Sequence, residues 1–365
     1  MVHLGDRARR PRRMLASYTI LVATICASLT ACLLSPPARA QGFPNRPIKI
    51  VVGPSPDVFA RIVGEHLQQA WGQPVIVEPR PGAGGKLAAA AVAGADPDGH
   101  TLLFATPTYT LNAAMKLASY DLVREFEAVS IIGLISYALV VHPSVPARSV
   151  AELVALAKSR PGGLNCASAG IGTVPHLACE TLNRSAGVNV VHVPYRDVNA
   201  AMMGTVSGTV QMFVGVSTTA KAQILSGTVR GLAVTTAQRS TLLPDLPTLV
   251  ESGYPTFVMP GWGGFLAPAH TPKEIVQKLN GEIARALLKP DVQQRLLNVG
   301  METPPLYAPA QVAEFIRDDV ARWTQLVESG EAQRRCAVRA IIAVAPPAQM
   351  IKMAHRLCPD TAQRT

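Results

Sequence analysis

Two glycine-rich turns are the segments of this 365-residue chain whose residue types and spacing could do chemistry. Residues 81–86 are Pro-Gly-Ala-Gly-Gly-Lys and residues 168–173 are Ser-Ala-Gly-Ile-Gly-Thr; each turn follows a strand-like run and opens a helix-like one. The start of a helix exposes unpaired N–H groups with a positive potential, and glycine lets an anion approach the backbone. Both turns are therefore candidates to bind an anion. The alternative is a pair of tight loops that geometry alone requires.

Neither turn matches a nucleotide-binding motif. A Walker A motif needs G-x-x-x-x-G-K-[ST], but Arg80 stands at its first position and Leu87 at its last. A dinucleotide fingerprint needs a third glycine, where the two turns have Leu87 and Pro175. We predict no nucleotide and no other cofactor.

The residues around the second turn do not form a recognisable catalytic motif. Ser168 lacks the G-x-S-x-G setting of an esterase nucleophile, and a hydroxyl in such a turn more often donates a hydrogen bond or caps a helix. His176 lies about one turn into the following helix, where it either orients the loop or packs as an ordinary core histidine. No H-x-x-x-H, E-x-x-H or paired-carboxylate pattern stands out among the eight histidines and the acids. We predict no catalytic residue and no metal site.

The net charge of +10 at pH 7 is concentrated at the two ends of the chain. Residues 1–40 contain six arginines and one aspartate, and residues 331–365 contain six basic and two acidic side chains. The body between them is nearly neutral and shows no basic surface with interleaved aromatics. We therefore predict that the protein does not bind nucleic acid.

The first forty residues have the pattern of an export signal. An arginine-rich head precedes a mostly apolar run over residues 14–34, and Ala38 and Ala40 have signal peptidase spacing. We predict cleavage after Ala40 and a periplasmic mature protein. Two alternatives stay open: a membrane anchor, and lipidation of Cys32 at the end of a lipobox-like Leu-Thr-Ala-Cys.

The cysteines that remain after this cleavage are Cys166, Cys179, Cys336 and Cys358. They form no C-x-x-C motif, so a zinc site is disfavoured. Export permits a disulfide between Cys166 and Cys179, and two buried thiols are an equal alternative.

Strand-like and helix-like runs alternate along the body, in one series over residues 48–141 and a second over residues 164–235. Alternation predicts an α/β fold with largely parallel sheets, because parallel strands need crossovers that helices supply. The simplest arrangement is two lobes with a ligand cleft between them, the chain crossing near His142 and Trp262. We assign residues 41–142 and 260–330 to the first lobe, 143–259 to the second and 331–365 to a basic tail.

The residue patterns along the body resemble the Bug-type extracytoplasmic solute receptors of tripartite tricarboxylate transporters. The strongest match is Ser-Ala-Gly-x-Gly-Thr-x-x-His-Leu at 168–177, followed by Val-His-Val-Pro-Tyr-Arg at 191–196. Supporting matches include residues 78–85, 96–103, 243–248 and 267–274, and the resemblance covers about residues 44–329. It implies a type II, Venus-flytrap periplasmic binding protein, with each lobe a mostly parallel sheet flanked by helices.

The resemblance also implies the function and the site. The protein is expected to capture a small carboxylate and deliver it to membrane permease subunits, without catalysis and as a monomer. In this family, turns on both lobes hold the ligand through backbone N–H groups, hydroxyls and water. The expected ligand-binding residues, carried over by position, are Gly84, Gly85, Thr106 and Thr108 on the first lobe and Ser168, Gly172, Thr173 and His176 on the second.

Three departures from the family pattern bear on this expectation. The loop at residues 53–56 is about four residues shorter than usual, although it normally forms one side of the ligand grip. Acidic residues common near Gly204 and Gln211 are absent. The basic tail at 331–365 has no matching pattern, and we expect it to be poorly ordered.

Two other functions remain compatible with the sequence. One is a two-lobed α/β enzyme acting on a carboxylated substrate, for which a reactive serine or thiol would be needed. The other is a ligand-sensing subunit that uses the same cleft to inform a signalling partner.

Overall fold

The computed structural model describes residues 42–302 and 305–344, with side chains as far as Glu328. The predicted export signal with Cys32 and the end of the basic tail lie outside the described residues. The chain divides into two compact units, Met1–Asn45 and Arg46–Thr365. Residues 42–45 of the first unit contain no helix or strand.

The second unit alternates strands and helices, as predicted. Its strands are β1 (Ile48–Val52), β2 (Val75–Pro79), β3 (Thr101–Ala105), β4 (Phe126–Ile135), β5 (Tyr137–Val141), β6 (Asn165–Ser168), β7 (Val191–Pro194), β8 (Met212–Val216), β9 (Arg230–Val234), β10 (Gly261–Pro268) and β11 (Met301–Glu302). Its helices are α1 (Val58–Trp71), α2 (Lys86–Ala93), α3 (Pro107–Ala114), α4 (Val150–Ser159), α5 (Val174–Ala186), α6 (Val198–Val206), α7 (Ser217–Leu225), α8 (Lys273–Leu288), α9 (Pro290–Asn298) and α10 (Pro309–Val344). A short 3-10 turn, Ala83–Gly85, precedes α2.

The strands form two sheets, with the orders β11-β4-β10-β3-β1-β2 and β7-β6-β8-β5-β9. In the first sheet, β1 pairs in parallel with β2 and β3; in the second, β6 pairs in parallel with β7 and β8. The antiparallel strands include β5 and β10, the first strands after each passage between the sheets. The predicted α/β fold is confirmed, and both sheets are mixed because strands arriving from the other sheet enter in the opposite direction.

Each sheet has its own apolar core. In the first, Val51, Leu103 and Trp262 belong to one cluster of buried side chains. In the second, Val140 and Phe213 belong to another. The two separate cores are those of a two-lobed protein, because each sheet buries apolar side chains against its own helices.

The passage between the sheets lies at Ser136, which alone separates β4 from β5. The sequence-based boundary near His142 assigns β5 to the first lobe, whereas β5 pairs with β8 and β9 in the second sheet. The boundary escaped prediction because the apolar run of β4 continues almost without interruption into β5. We propose that the lobes divide at Ser136 and again just before Gly261.

Helix α10 is attached to the first lobe through the buried carboxylate of Asp319. Its Oδ2 accepts hydrogen bonds from Thr110 Oγ1 at 2.5 Å, Trp262 Nε1 at 2.9 Å and Trp323 Nε1 at 3.0 Å. One carboxylate therefore connects α10 to the start of β10 and to α3. Because α3 begins directly after Thr106, this connection fixes the position of one predicted ligand segment.

The backbone of α10 continues into the basic tail, through residue 344. The first part of the basic tail is therefore helical, and residues 345–365 lie outside the described part. In the part of the chain that the structure describes, no helix is both long enough and apolar enough to cross a membrane.

Candidate functional site

The predicted ligand segments all lie where a strand ends and a helix begins. The turn 82–85 leads from β2 to α2, Thr106 leads from β3 to α3, and residues 169–173 lead from β6 to α5. In α/β sheets, ligands bind in the crevice outside the carboxyl ends of the strands. The fold therefore places helix starts from both lobes at such an edge.

The glycine turns of the two lobes lie in direct contact. A Cβ atom added at Gly84 would lie 2.4 Å from the carbonyl oxygen of Ile171, and one added at Gly170 would lie 3.4 Å from Gly84 N. Gly84 also has φ of 62°, a conformation that side chains rarely adopt. Only glycine fits at position 84, for both reasons.

The short loop at residues 53–56 also reaches the second lobe. The backbone N–H of Val198, at the start of α6, donates to Pro54 O at 3.2 Å. On the first-lobe side, Ser55 Oγ lies 3.2 Å from Thr106 Oγ1. The loop is thus short but still spans the gap between the lobes.

The first-lobe segments pack around Tyr109 and Asn112 on α3. Asn112 Nδ2 donates to Gly84 O at 2.9 Å and to Thr108 O at 2.8 Å. A Cβ at Gly85 would lie 3.2 Å from the ring of Tyr109. Helix α3 therefore joins the residues predicted for the first lobe.

Ser168 shapes the second turn from a fully buried position. Its Oγ accepts the N–H of Gly170 at 3.1 Å and lies 2.6 Å from His192 Nε2. Burial and the neighbouring His176 lower the pKa of His192 to about 4, so its ring is neutral at pH 7. The Ser168 hydroxyl can then donate its proton to Nε2, which makes His192 the acceptor of this bond.

Thr173 and His176 bind the same turn from its other end. The Thr173 hydroxyl donates to Gly170 O at 2.7 Å, and Gly172 N donates to His176 Nδ1 at 3.4 Å. Burial lowers the pKa of His176, which favours the neutral ring that can accept this bond. Its ring centroid lies 4.4 Å from that of His192. These side chains hold the turn in place. The Thr173 hydroxyl, which was expected to donate to the ligand, donates to Gly170 O within the turn instead.

A disulfide closes the base of the second turn. Cys166 on β6 and Cys179 on α5 are bonded to each other, which decides between the two alternatives left open by the sequence. The bond encloses the whole segment from Ser168 to His176. Closing a loop of this length contributes about 3 kcal/mol by restricting the unfolded chain.

Each of the eight predicted site residues belongs to this one network of contacts. The side chains that build the network are neutral, and none of them is a lysine or an arginine. Within the described ranges, no three His, Cys, Asp or Glu side chains come together as a metal site. An anion at this junction would therefore depend on N–H groups, hydroxyls and helix starts.

Comparison with known proteins agrees with the fold. The family model described as "Tripartite tricarboxylate transporter family receptor" matches residues 59–331. This chain belongs to that family. The match includes all eight predicted ligand-binding residues and begins after β1, so the resemblance inferred from the sequence is confirmed.

Relatives of this receptor match it over nearly their whole length. BugT of Bordetella pertussis is 32% identical over 318 residues, which are 85% of this chain and 97% of BugT. The solved periplasmic binding protein BugD is 31% identical with a TM-score of 0.76, over 79% of this chain and 99% of BugD.

Two similar structures were solved with a bound carboxylate. MatC of Rhodopseudomonas palustris with malate is 32% identical with a TM-score of 0.74, over 78% of this chain and 100% of MatC. A second R. palustris protein, solved with adipate, is 29% identical with a TM-score of 0.75, over 79% of this chain and 98% of that protein.

The sequence analysis missed three residues of the receptor's network: Tyr109, Asn112 and His192. Tyr109 and Asn112 are fully buried. Within the described residues, Tyr109 Oη and Asn112 Oδ1 have no hydrogen-bond partner. Polar side chains three positions apart on one short helix were the available signal. His192 belongs to the family match at 191–196, but its contact with Ser168 could not be predicted because the two residues lie 24 positions apart.

The structure also accounts for the two acidic positions that this receptor lacks. A Cβ at Gly204 would lie 2.3 Å from the hydroxyl oxygen of Tyr195, so the tyrosine occupies the space of a side chain there. Gln211 Oε1 accepts the N–H of Asn165 at 3.0 Å and thereby supports β6. Position 204 thus makes room for Tyr195, and Gln211 supports the start of β6.

Proposed function

We propose that this receptor binds a small organic carboxylate between the turns of its two lobes and delivers it to the membrane subunits of a tripartite tricarboxylate transporter. The observation that carries the proposal is the meeting of the starts of α2, α3 and α5 at one junction between the lobes. Helix starts bind carboxylates through N–H groups and the helix dipole, without a formal cation. The proposed ligand-binding residues are the eight predicted from the sequence, with Ser168 and Thr173 acting by holding the turn in shape.

The similar structures support a carboxylate of modest size. Malate in MatC and adipate in the second R. palustris protein are both dicarboxylates, and they differ in chain length. The family therefore changes its ligand while keeping its fold. A screen of the receptor against mono- and dicarboxylates would identify the acid that it binds.

One observation favours an enzyme: the contact of 2.6 Å between Ser168 Oγ and His192 Nε2. A nucleophilic serine needs access to substrate and a histidine oriented by a third group. Ser168 is fully buried, its oxygen accepts the N–H of Gly170, and the ring of His192 packs against His176. We therefore propose that Ser168 and His192 hold the turn in shape and that the receptor binds its ligand without catalysis.

The export pattern and the family membership support a periplasmic location for the mature protein. Lipidation of Cys32 is the alternative form of the same proposal, and mass spectrometry of the processed N-terminus distinguishes the two. We propose a monomer, because the binding junction is complete within one chain. Light scattering at working concentrations tests this.

A thermal-shift screen of the processed receptor against mono- and dicarboxylates tests the function. A ligand that binds only the folded state raises the melting temperature by mass action, so one acid or a small group should stabilise the protein. Recovery of the acid unchanged supports a receptor, and its conversion would support the enzyme. Absence of stabilisation by any carboxylate would contradict the proposal. If an acid stabilises the receptor, but cells that contain the permease take up that acid equally well with and without the receptor, a sensor is favoured.

A further inference from the structure

We propose that Asn112 is the positioning residue that couples the ligand turns of the two lobes. The inference rests on the proposed function. It names the side chain through which the position of one turn of the site affects the other. Asn112 lies on α3, is fully buried, and matches none of the ligand positions carried over from the family.

The amide nitrogen of Asn112 joins two first-lobe segments. It donates to Gly84 O, 28 residues earlier in the chain, and to Thr108 O, one helical turn earlier. Gly84 belongs to the first glycine turn, and Thr108 is the second residue of α3. Loss of this amide would remove the side-chain donor that ties Gly84 O to α3, so the first turn would be free to shift relative to the helix.

The amide oxygen of Asn112 points at the second lobe. A Cβ added at Gly172 would lie 2.4 Å from Asn112 Oδ1, so the oxygen lies against the Gly172 backbone. Within the described residues, Oδ1 has no hydrogen-bond partner. A buried polar atom without a partner is costly, so its position between the lobes points to a role at the cleft rather than in the core.

The two ends of one rigid amide thus contact the first turn and the second turn. A shift of Gly84 moves Asn112, and Asn112 in turn determines how closely Gly172 can approach. Lobe closure should therefore depend on Asn112 even though the proposed carboxylate is held by the turns themselves. Closure of this kind shifts a population of open and closed states toward the closed one.

A double-mutant cycle across the lobes tests the coupling, with calorimetry against an acid identified in the screen. In the parent receptor, Gly172→Ala should lower affinity at least tenfold, because its methyl group collides with Asn112 Oδ1. In an Asn112→Ala background the same substitution should cost less than threefold, because the oxygen is gone. The backbone strain of Gly172→Ala is common to both backgrounds and cancels. Equal losses in the two backgrounds would overturn the proposal.

Asn280 provides a matched control for stability. Its Nδ2 also donates to two carbonyls, Val129 O at 2.8 Å and Tyr307 O at 2.9 Å, but within the first lobe. Asn280→Ala should destabilise the fold and leave affinity within twofold of the parent.

Hydrogen exchange gives a second measurement if a variant of the cycle folds poorly. Asn112→Ala should speed exchange of the amides of residues 82–85, and Asn280→Ala should not. Unchanged exchange there would also overturn the proposal. If no carboxylate binds even the parent receptor, the proposed function fails, whereas normal binding with no coupling rejects only the role of Asn112.

Discussion

A Cβ atom on Gly84 of the first lobe would lie 2.4 Å from the carbonyl oxygen of Ile171 in the second. The two turns that the sequence marked as anion sites are therefore each other's neighbours. A side chain at position 84 would therefore collide with the second lobe. The glycines allow the two lobes to approach closely, and they also adopt the backbone conformation that the turns require.

Gly84→Ala should lower carboxylate affinity at least tenfold, because the added methyl group prevents the turns from meeting. Gly187→Ala is a matched control. Gly187 has the same φ of 62° but nothing within 4 Å of an added Cβ. Both substitutions carry the left-handed backbone cost of roughly 1–2 kcal/mol, so similar melting temperatures are expected. Equal affinities of the two variants, measured by calorimetry, would count against contact between the turns.

Thr173→Val should weaken binding by about tenfold, because it removes the hydroxyl that donates to Gly170 O at 2.7 Å and leaves that carbonyl with the longer bond of 3.3 Å from the backbone N–H of residue 173. Thr173→Ser keeps the hydroxyl and should bind nearly as tightly as the parent. Loss of binding in both variants would show that the methyl group, rather than the hydrogen bond, carries the effect.

The strand and helix order of both lobes could be predicted because buried β-branched runs and helical spacing are local signals. Both glycine turns were also recognisable, since each lies between a strand and a helix. Contacts distant in sequence could not be predicted: Asn112 meets Gly84 and Gly172, and His192 meets Ser168, only once the fold brings them together. The passage at Ser136 was missed because a single serine between two apolar strands resembles a continuous strand.

The pKa of His192 predicts how stability changes with pH. The unfolded chain binds a proton at this ring near pH 6.5, whereas the folded protein does so near pH 4. Between these values the unfolded state binds more protons, so stability is present above pH 6.5 and is lost as the pH falls toward 4. The groups that face the ring are His176 and the Ser168 hydroxyl, and Glu180 acts on His176.

His192→Gln should reduce the slope of the melting temperature between pH 4 and 6.5, because glutamine does not titrate. His176→Gln should reduce it too, since burial also lowers the pKa of that ring. An unchanged slope in His192→Gln would show that folding does not lower the pKa of this histidine.

Asp319→Asn should lower the free energy of unfolding by about 2–4 kcal/mol, because a neutral amide oxygen accepts more weakly than the carboxylate from Thr110, Trp262 and Trp323. Asp318→Asn, on the exposed neighbour, should change stability by less than about 0.5 kcal/mol. Urea unfolding measures both. Equal effects would mean that Asp319 does not anchor α10.

A crystal structure of the processed receptor with the acid found in the screen tests the central claim most directly. Our account predicts that the carboxylate oxygens lie about 2.7–3.1 Å from backbone N–H groups of residues 82–85 and 169–173, with both lobes in contact with the ligand. A carboxylate bound elsewhere, or held by a lysine or arginine on one lobe alone, would contradict it.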